Sequence, residues 1–293
     1  MKFKGIMPAL VTPLTKEGKV NEGVLSELIE HLMSQGADGF YIGGATGEGI
    51  SLPKATRMQL AEASVSAVGK RKPTIVHIAA TEFSDALELA HHAEASGADA
   101  ISAIPPIFYK YGEGEVYDYY KALAGAVSIP LMVYFSPAAN FPITADFAAR
   151  LFEIDNVTAI KWTSSDYYGM MRLKDLTKGE MNIINGPDEM LLMGLSAGAD
   201  GGIGTTYNFM LPRIRRIYDS FMLGKIDEAR AAQIEANRII YALLKSSTIP
   251  ATKLALEAMG FAVGDAAFPF PAYSQNERSE IIARLKAAGL ELN

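Results

Sequence analysis

The sequence predicts an α/β fold, a (β/α)8 TIM barrel with a C-terminal helical extension. Three observations predict it: a near-repeat at helix-to-strand junctions, strand-like runs alternating with amphipathic helical runs, and a helix-only pattern after the eighth strand. The near-repeat reads SQGADGFYIGG at 34–44, ASGADAISAIPP at 95–106 and SAGADGGIGTT at 196–206. In each copy a glycine (Gly36, Gly97, Gly198) ends a helix and the Ala-Asp pair leads into a strand. The intervals of 61 and 101 residues between these glycines fit two and four βα units of roughly 25 to 30 residues, which makes the copies the starts of strands 2, 4 and 8.

The remaining strands follow in order. Apolar, β-branched runs place them at 6–13, 74–79, 130–135, 157–162 and 181–185, with helical patterns such as VLSELIEHLMSQG between them. Beyond the eighth strand LPRIRRIYDSFMLG completes the barrel. KIDEARAAQIEANRIIYALLKSS, PATKLALEAMG and SQNERSEIIARLKAAGL then form an appended region. The expected division is a barrel over 1–224 and a helical region over 225–293 packed on it, since no low-complexity segment or charge run marks a linker.

Composition narrows the chemistry. Twenty-seven Lys and Arg against 33 Asp and Glu give a net charge of −6 with the signs interspersed, which argues against nucleic acid or an anionic membrane as partner and leaves a small molecule. The absence of cysteine excludes disulfides, thiolate metal sites and cysteine nucleophiles. The four histidines (His31, His77, His91, His92) are too scattered for a metal set, so neither metal nor cofactor is expected. The first residues have too short an apolar stretch for a signal peptide and no run reaches a membrane span, so a cytoplasmic location is expected.

Within this frame VTAIKWTSSD, residues 157–166, sets Lys161 in an apolar strand with no acid beside it. Burying an ammonium without a partner is costly, and the usual response, a lowered pKa, leaves a nucleophilic amine. YIGGATGEG at 41–49 ends strand 2 with Gly43, Gly44, Gly47 and the Thr46 hydroxyl, a loop able to cradle a carboxylate; it is neither a Walker motif nor a dinucleotide fingerprint. Tyr134 ends strand 5 in PLMVYFSP. Taken singly, these are also an edge lysine, a tight turn and a core aromatic. Their coincidence at the C-terminal end of the barrel, with strands 5 and 6 about 5 Å apart, favours a shared site.

These motifs, GIMPALVTPL, GGATGEG, SAIPPIFYKY, VYFSP and AIKWTSSD, resemble those of the pyruvate-dependent class I aldolases, the dihydrodipicolinate synthase / N-acetylneuraminate lyase family, and the likeness covers most of the chain. Within the family, residues 184–210 and Thr163 are similar to the branch that cleaves N-acetylneuraminate. An arginine expected after the tyrosine strand for dihydrodipicolinate synthesis is absent from FSPAANFP. The resemblance implies that Lys161 forms a Schiff base with pyruvate or the sugar acid and that Tyr134 is the acid-base residue. It further implies that Thr46 and the amides around Gly47 hold the pyruvate carboxylate, that Gly186, Asp188, Glu189 and Thr205 bind the hydroxylated tail, and that Thr163 lies beside the reacting carbons. Tyr109 matches a tyrosine inserted into a neighbouring subunit's site, and a homotetramer is expected.

Two departures stand out. Ala45 replaces the usual Ser or Thr, removing a hydroxyl from the carboxylate loop. Pro187 and the SPAANFP loop are expected to reshape the sugar end. Asp188 can alternatively cap the helix near MLLMGL. Other readings are an aldolase for another 2-keto-3-deoxy sugar acid, a dihydrodipicolinate synthase-like condensation, or a non-catalytic sugar-acid-binding protein.

Overall fold

The computed structural model describes residues 2–136, 139 and 141–292. Eight strands, β1 (Gly5–Pro8), β2 (Phe40–Ile42), β3 (Thr74–His77), β4 (Ala100–Ala103), β5 (Leu131–Phe135), β6 (Val157–Trp162), β7 (Asn182–Asn185) and β8 (Gly201–Gly204), pair in parallel, and the sheet runs from β1 through β8 round to β2. The ring closes between β1 and β2, where Ala9 bridges Tyr41 and the Leu10 amide donates to the Tyr41 carbonyl at 2.9 Å. This is the (β/α)8 barrel the sequence predicts.

Helices alternate with the strands: α1 (Glu22–Ser34), α2 (Lys54–Val68), α3 (Phe83–Ala95), α4 (Glu113–Ala126), α5 (Ala145–Phe152), α6 (Tyr167–Leu176), α7 (Leu191–Ser196) and α8 (Tyr207–Met222). Then α9 (Ile226–Leu243), α10 (Thr248–Ala258) and α11 (Gln275–Ala287) follow without intervening strands, and their apolar faces join the same core cluster as the barrel helices. No helix of the described residues is long and apolar enough to cross a membrane.

Side chains alternate through the barrel wall. Leu131, Val133, Ile160 and Trp162 point outward to the helices, whereas Met132, Tyr134 and Ala159 belong to the interior cluster with Met7, Tyr41 and Ile203.

The near-repeat has a structural role at the opposite end. Gly36, Gly97 and Gly198 adopt φ of +93°, +88° and +98°, a left-handed conformation that closes each helix. The next residue's amide then bonds back into the helix, as Ala37 does to Leu32 and Ala199 to Gly194. The aspartate that follows accepts an amide from the preceding strand: Asp38 from Ile6 at 2.9 Å, Asp99 from Thr74 at 2.9 Å, Asp200 from Ile183 at 3.0 Å. One tripeptide thus ends a helix and pins the bottom of two neighbouring strands.

Strands β3, β5 and β7 fall within two residues of expectation, and two larger differences have a visible cause. β1 ends at Pro8 rather than continuing to 13, because the chain leaves the ladder: the Val11 amide donates to Asn208 Oδ1 and the Thr12 hydroxyl to the Gly47 carbonyl. α8 starts at Tyr207 rather than 211 but breaks at Met210 (φ −140°), two residues before Pro212, whose ring and missing N–H disrupt the helical ladder. Asp99→Ala should cost about 1–3 kcal/mol, because it strands the Thr74 amide and hydroxyl at the base of β3. Urea unfolding with an unchanged m-value checks this, and an unaltered midpoint would deny the pinning role.

Candidate active site

The β5–β6 register sets Tyr134 directly opposite Lys161. Lys161 is only 6% exposed, and its Nζ lies 4.3 Å from the centre of the Tyr134 ring and 4.7 Å from that of Tyr41. Among the described residues no carboxylate lies within ion-pair distance of it. The Tyr41 hydroxyl donates to Ser102 Oγ at 2.9 Å, and the Tyr41 ring meets the edge of Tyr134 at 6.1 Å. His77, at the end of β3, completes the group, its ring 6.0 Å from Tyr134. Burial, reinforced by the Arg57 guanidinium, holds the His77 imidazole well below its usual range, so it is neutral at physiological pH. Arg57, on α2, donates to the Ala79 and His77 carbonyls at 2.9 Å each and so fixes the chain where it leaves β3.

Sequence reasoning assigned no role to Tyr41 or His77. Both are recognisable only once the barrel closes and β2 and β3 face β5 and β6. The one available signal was position, since each lies near the C-terminal end of its strand.

A cavity of about 400 Å³ opens beside this group, and its lining includes five predicted residues: Thr163, Gly186, Asp188, Glu189 and Thr205. Pro187, Met190 and Thr206 complete the barrel side, while Ile240, Leu243 and Leu244 at the end of α9 form an apolar wall. Lys161, Tyr134, Thr46 and Gly47 do not line the cavity. They connect to it through Thr163, two residues beyond Lys161, and through a 2.7 Å hydrogen bond between the Thr46 and Thr205 hydroxyls. Gly186 is required by close approach, as a Cβ there would lie 2.0 Å from Thr163 Oγ1. That hydroxyl is buried and has no hydrogen-bond partner among the described residues.

Asp188 does not cap the helix after it: the N-cap of α7 is Met190, with no side-chain bond. Instead its Oδ2 accepts the Thr206 amide at 2.7 Å and hydroxyl at 2.6 Å, in the turn that opens α8. The Glu189 side chain is exposed at the rim, and its carbonyl accepts from Asn237 of α9 at 3.0 Å. Below the loop, Thr12 Oγ1 donates to the Gly47 carbonyl at 2.6 Å, while Ala45 is exposed. Tyr109 stands apart, 65% exposed, with the Phe108 ring 5.0 Å and the Tyr111 ring 6.4 Å away. Of the SPAANFP loop expected to reshape the sugar end, residues 137, 138 and 140 lie outside the described residues.

Burial raises the Asp188 carboxyl to about 6 from 3.8, against the opposing Thr206 hydrogen bonds. The folded state therefore favours the protonated form, and this contribution to stability is present below the unfolded value and lost as pH rises through about 6. Asp188→Asn, which cannot ionise, should gain on the parent protein between about pH 4 and pH 7 by on the order of 1–3 kcal/mol. Urea titrations across that window test it, and a stability difference independent of pH would contradict it.

Residues 2–288 match the dihydrodipicolinate synthetase family model. An N-acetylneuraminate lyase from Rhizobium meliloti is 36% identical over 270 residues, 92% of this chain and 90% of the relative. One from Citrobacter koseri is 34% identical over 259 residues, 88% of this chain and 87% of its own. Among solved structures, Proteus mirabilis N-acetylneuraminate lyase superposes with a TM-score of 0.94 at 29% identity, covering 99% of this chain and 100% of that one. CdNal from Clostridium difficile, solved in complex with mannosamine, gives a TM-score of 0.94 at 30% identity, covering 98% and 100%. With the family model spanning nearly its full length, the chain belongs to the dihydrodipicolinate synthetase family.

Proposed function

We propose that this chain is a carbon–carbon lyase that cleaves N-acetylneuraminate to pyruvate and N-acetylmannosamine through an imine on Lys161. The observation that carries the reading is a buried lysine with no carboxylate partner, set opposite Tyr134 and next to a polar cavity. The names of its relatives support the substrate.

In this mechanism the uncharged Lys161 amine adds to the substrate ketone and water leaves. The iminium draws the electron pair from the carbon–carbon bond as it breaks, while Tyr134 accepts the proton of the hydroxyl on the departing aldehyde carbon. The remaining enamine is protonated and hydrolysed to pyruvate. The imine is the electron sink, so the reading invokes no cofactor. Thr46 and the Gly47 backbone hold the carboxylate. Asp188, Glu189, Gly186 and Thr205 receive the polyol tail, where carboxylate oxygens accept from sugar hydroxyls, and the unpaired Thr163 hydroxyl faces the reacting carbons. With Ala45 in the loop, proton relay to Tyr134 passes through water or the substrate. The exposed Tyr109 reaches a neighbouring subunit's site in a homotetramer, and the protein works in the cytoplasm.

Borohydride with pyruvate should add a pyruvate-derived mass to the peptide containing Lys161 and abolish activity; trapping at another lysine would refute the mechanism. Tyr134→Phe should retain more imine formation than cleavage, with equal loss of both pointing to a structural role. Glu189→Ala should weaken cleavage of N-acetylneuraminate by roughly 10- to 150-fold, the worth of one hydrogen bond to a charged acceptor, with pyruvate trapping nearly unchanged. Equal impairment of both would leave an aldolase of a different sugar acid, which pyruvate release from a panel of 2-keto-3-deoxy acids would identify.

A further inference from the structure

The glycine-rich loop that presents Thr46 and Gly47 turns on Glu48, a non-glycine residue at φ +60°. A side chain in that region is strained, and such strain persists only where the surroundings impose it. Here they do. Glu48 is 3% exposed, its Oε2 accepts the Ala267 amide at 2.5 Å, and its Oε1 lies 2.7 Å from Nζ of Lys253 on α10, an ion contact without hydrogen-bond alignment. Lys253 is 1% exposed and donates to the Asp265 carbonyl at 3.0 Å. The loop folds tightly on itself, with the Gly49 amide donating to the Gly44 carbonyl at 3.1 Å and the Glu48 amide to that of Ala45 at 3.0 Å. Its attachment to the C-terminal segment therefore runs through the Glu48 side chain.

A buried ion pair is a poor source of stability, since apolar residues of similar volume often do as well; what it supplies is a defined geometry. We infer that Glu48 and Lys253 are positioning residues, their buried pair holding the loop so that the Thr46 hydroxyl and Gly47 backbone meet the carboxylate of the keto acid. The C-terminal helices thereby set affinity for the pyruvate half of the substrate. This inference rests on the Schiff-base reading above.

The test is borohydride trapping on the full-length protein with increasing pyruvate, reading the half-saturating concentration and the limiting rate beside the melting temperature. Glu48→Gly/Lys253→Met leaves no unpaired charge and no strained side chain, so it should fold, but the loop loses its anchor. The expected result is a half-saturation raised about tenfold or more, with a limiting rate within about threefold, since Lys161 and Tyr134 are untouched. Glu48→Gln/Lys253→Met keeps an acceptor for the Ala267 amide and should shift less, by roughly threefold. If either double variant, folded at the assay temperature, takes pyruvate with the parent half-saturation, the pair is only structural and the inference falls. If the parent protein itself is not trapped at Lys161, the Schiff-base reading falls instead.

Discussion

Parallel pairing of β5 with β6 sets Tyr134 opposite Lys161, and the rest of the site is arranged about that pair. The register leaves little freedom, because a shift of one residue would turn Lys161 outward among the helices and Ile160 or Trp162 into the barrel. It is held from both ends. At the base, aspartates following the helix-closing glycines pin neighbouring strands; at the top, Arg57 ties down the exit of β3 behind His77 and Tyr41. The amine then lies against two aromatic faces instead of a carboxylate.

The chain buries a second lysine, and the comparison explains the first. Lys253 sits in PATKLALEAMG much as Lys161 sits in VTAIKWTSSD, a single cation within an apolar run. Burial pushes the Lys253 ammonium down and Glu48 opposes the shift, so the cost of desolvation is offset by a partner. Among the described residues Lys161 has no such partner. On the proposed reading one lysine is an anchor and the other a nucleophile, a division that cannot be read from either local sequence because it depends on which acid the fold brings near.

Legibility follows the same line. β6 has the bounds the sequence predicts, and Lys161 and Tyr134 are brought together as its register implies, because regular strands carry side-chain direction in their own alternation. The three Gly-Ala-Asp copies were legible because helix closure is local. Tyr41, His77, Glu48 and Lys253 were not assigned, since their roles arise from barrel closure or from contacts more than 200 residues apart, as between Glu48 and Ala267. Asp188 shows the limit within a single stretch: sequence position suggested a cap for the helix it precedes, whereas its partner is Thr206, across the neighbouring β8 turn.

The two halves of the site are built from different parts of the chain. On the proposed reading the keto-acid side is the loop after β2, which Thr12 holds from beneath and α10 contacts from behind. The cavity that reading gives to the sugar lies on the turns after β7 and β8, with α9 as its wall and with Gln233 and Asn237 donating to the Asp188 and Glu189 carbonyls. Their direct link is the bond between the Thr46 and Thr205 hydroxyls. Either oxygen can donate in that bond, so on the proposed reading a carboxylate that takes the Thr46 hydrogen leaves the Thr205 hydroxyl to pair elsewhere. On the proposed reading, filling the pyruvate half thus bears on a hydroxyl of the sugar half.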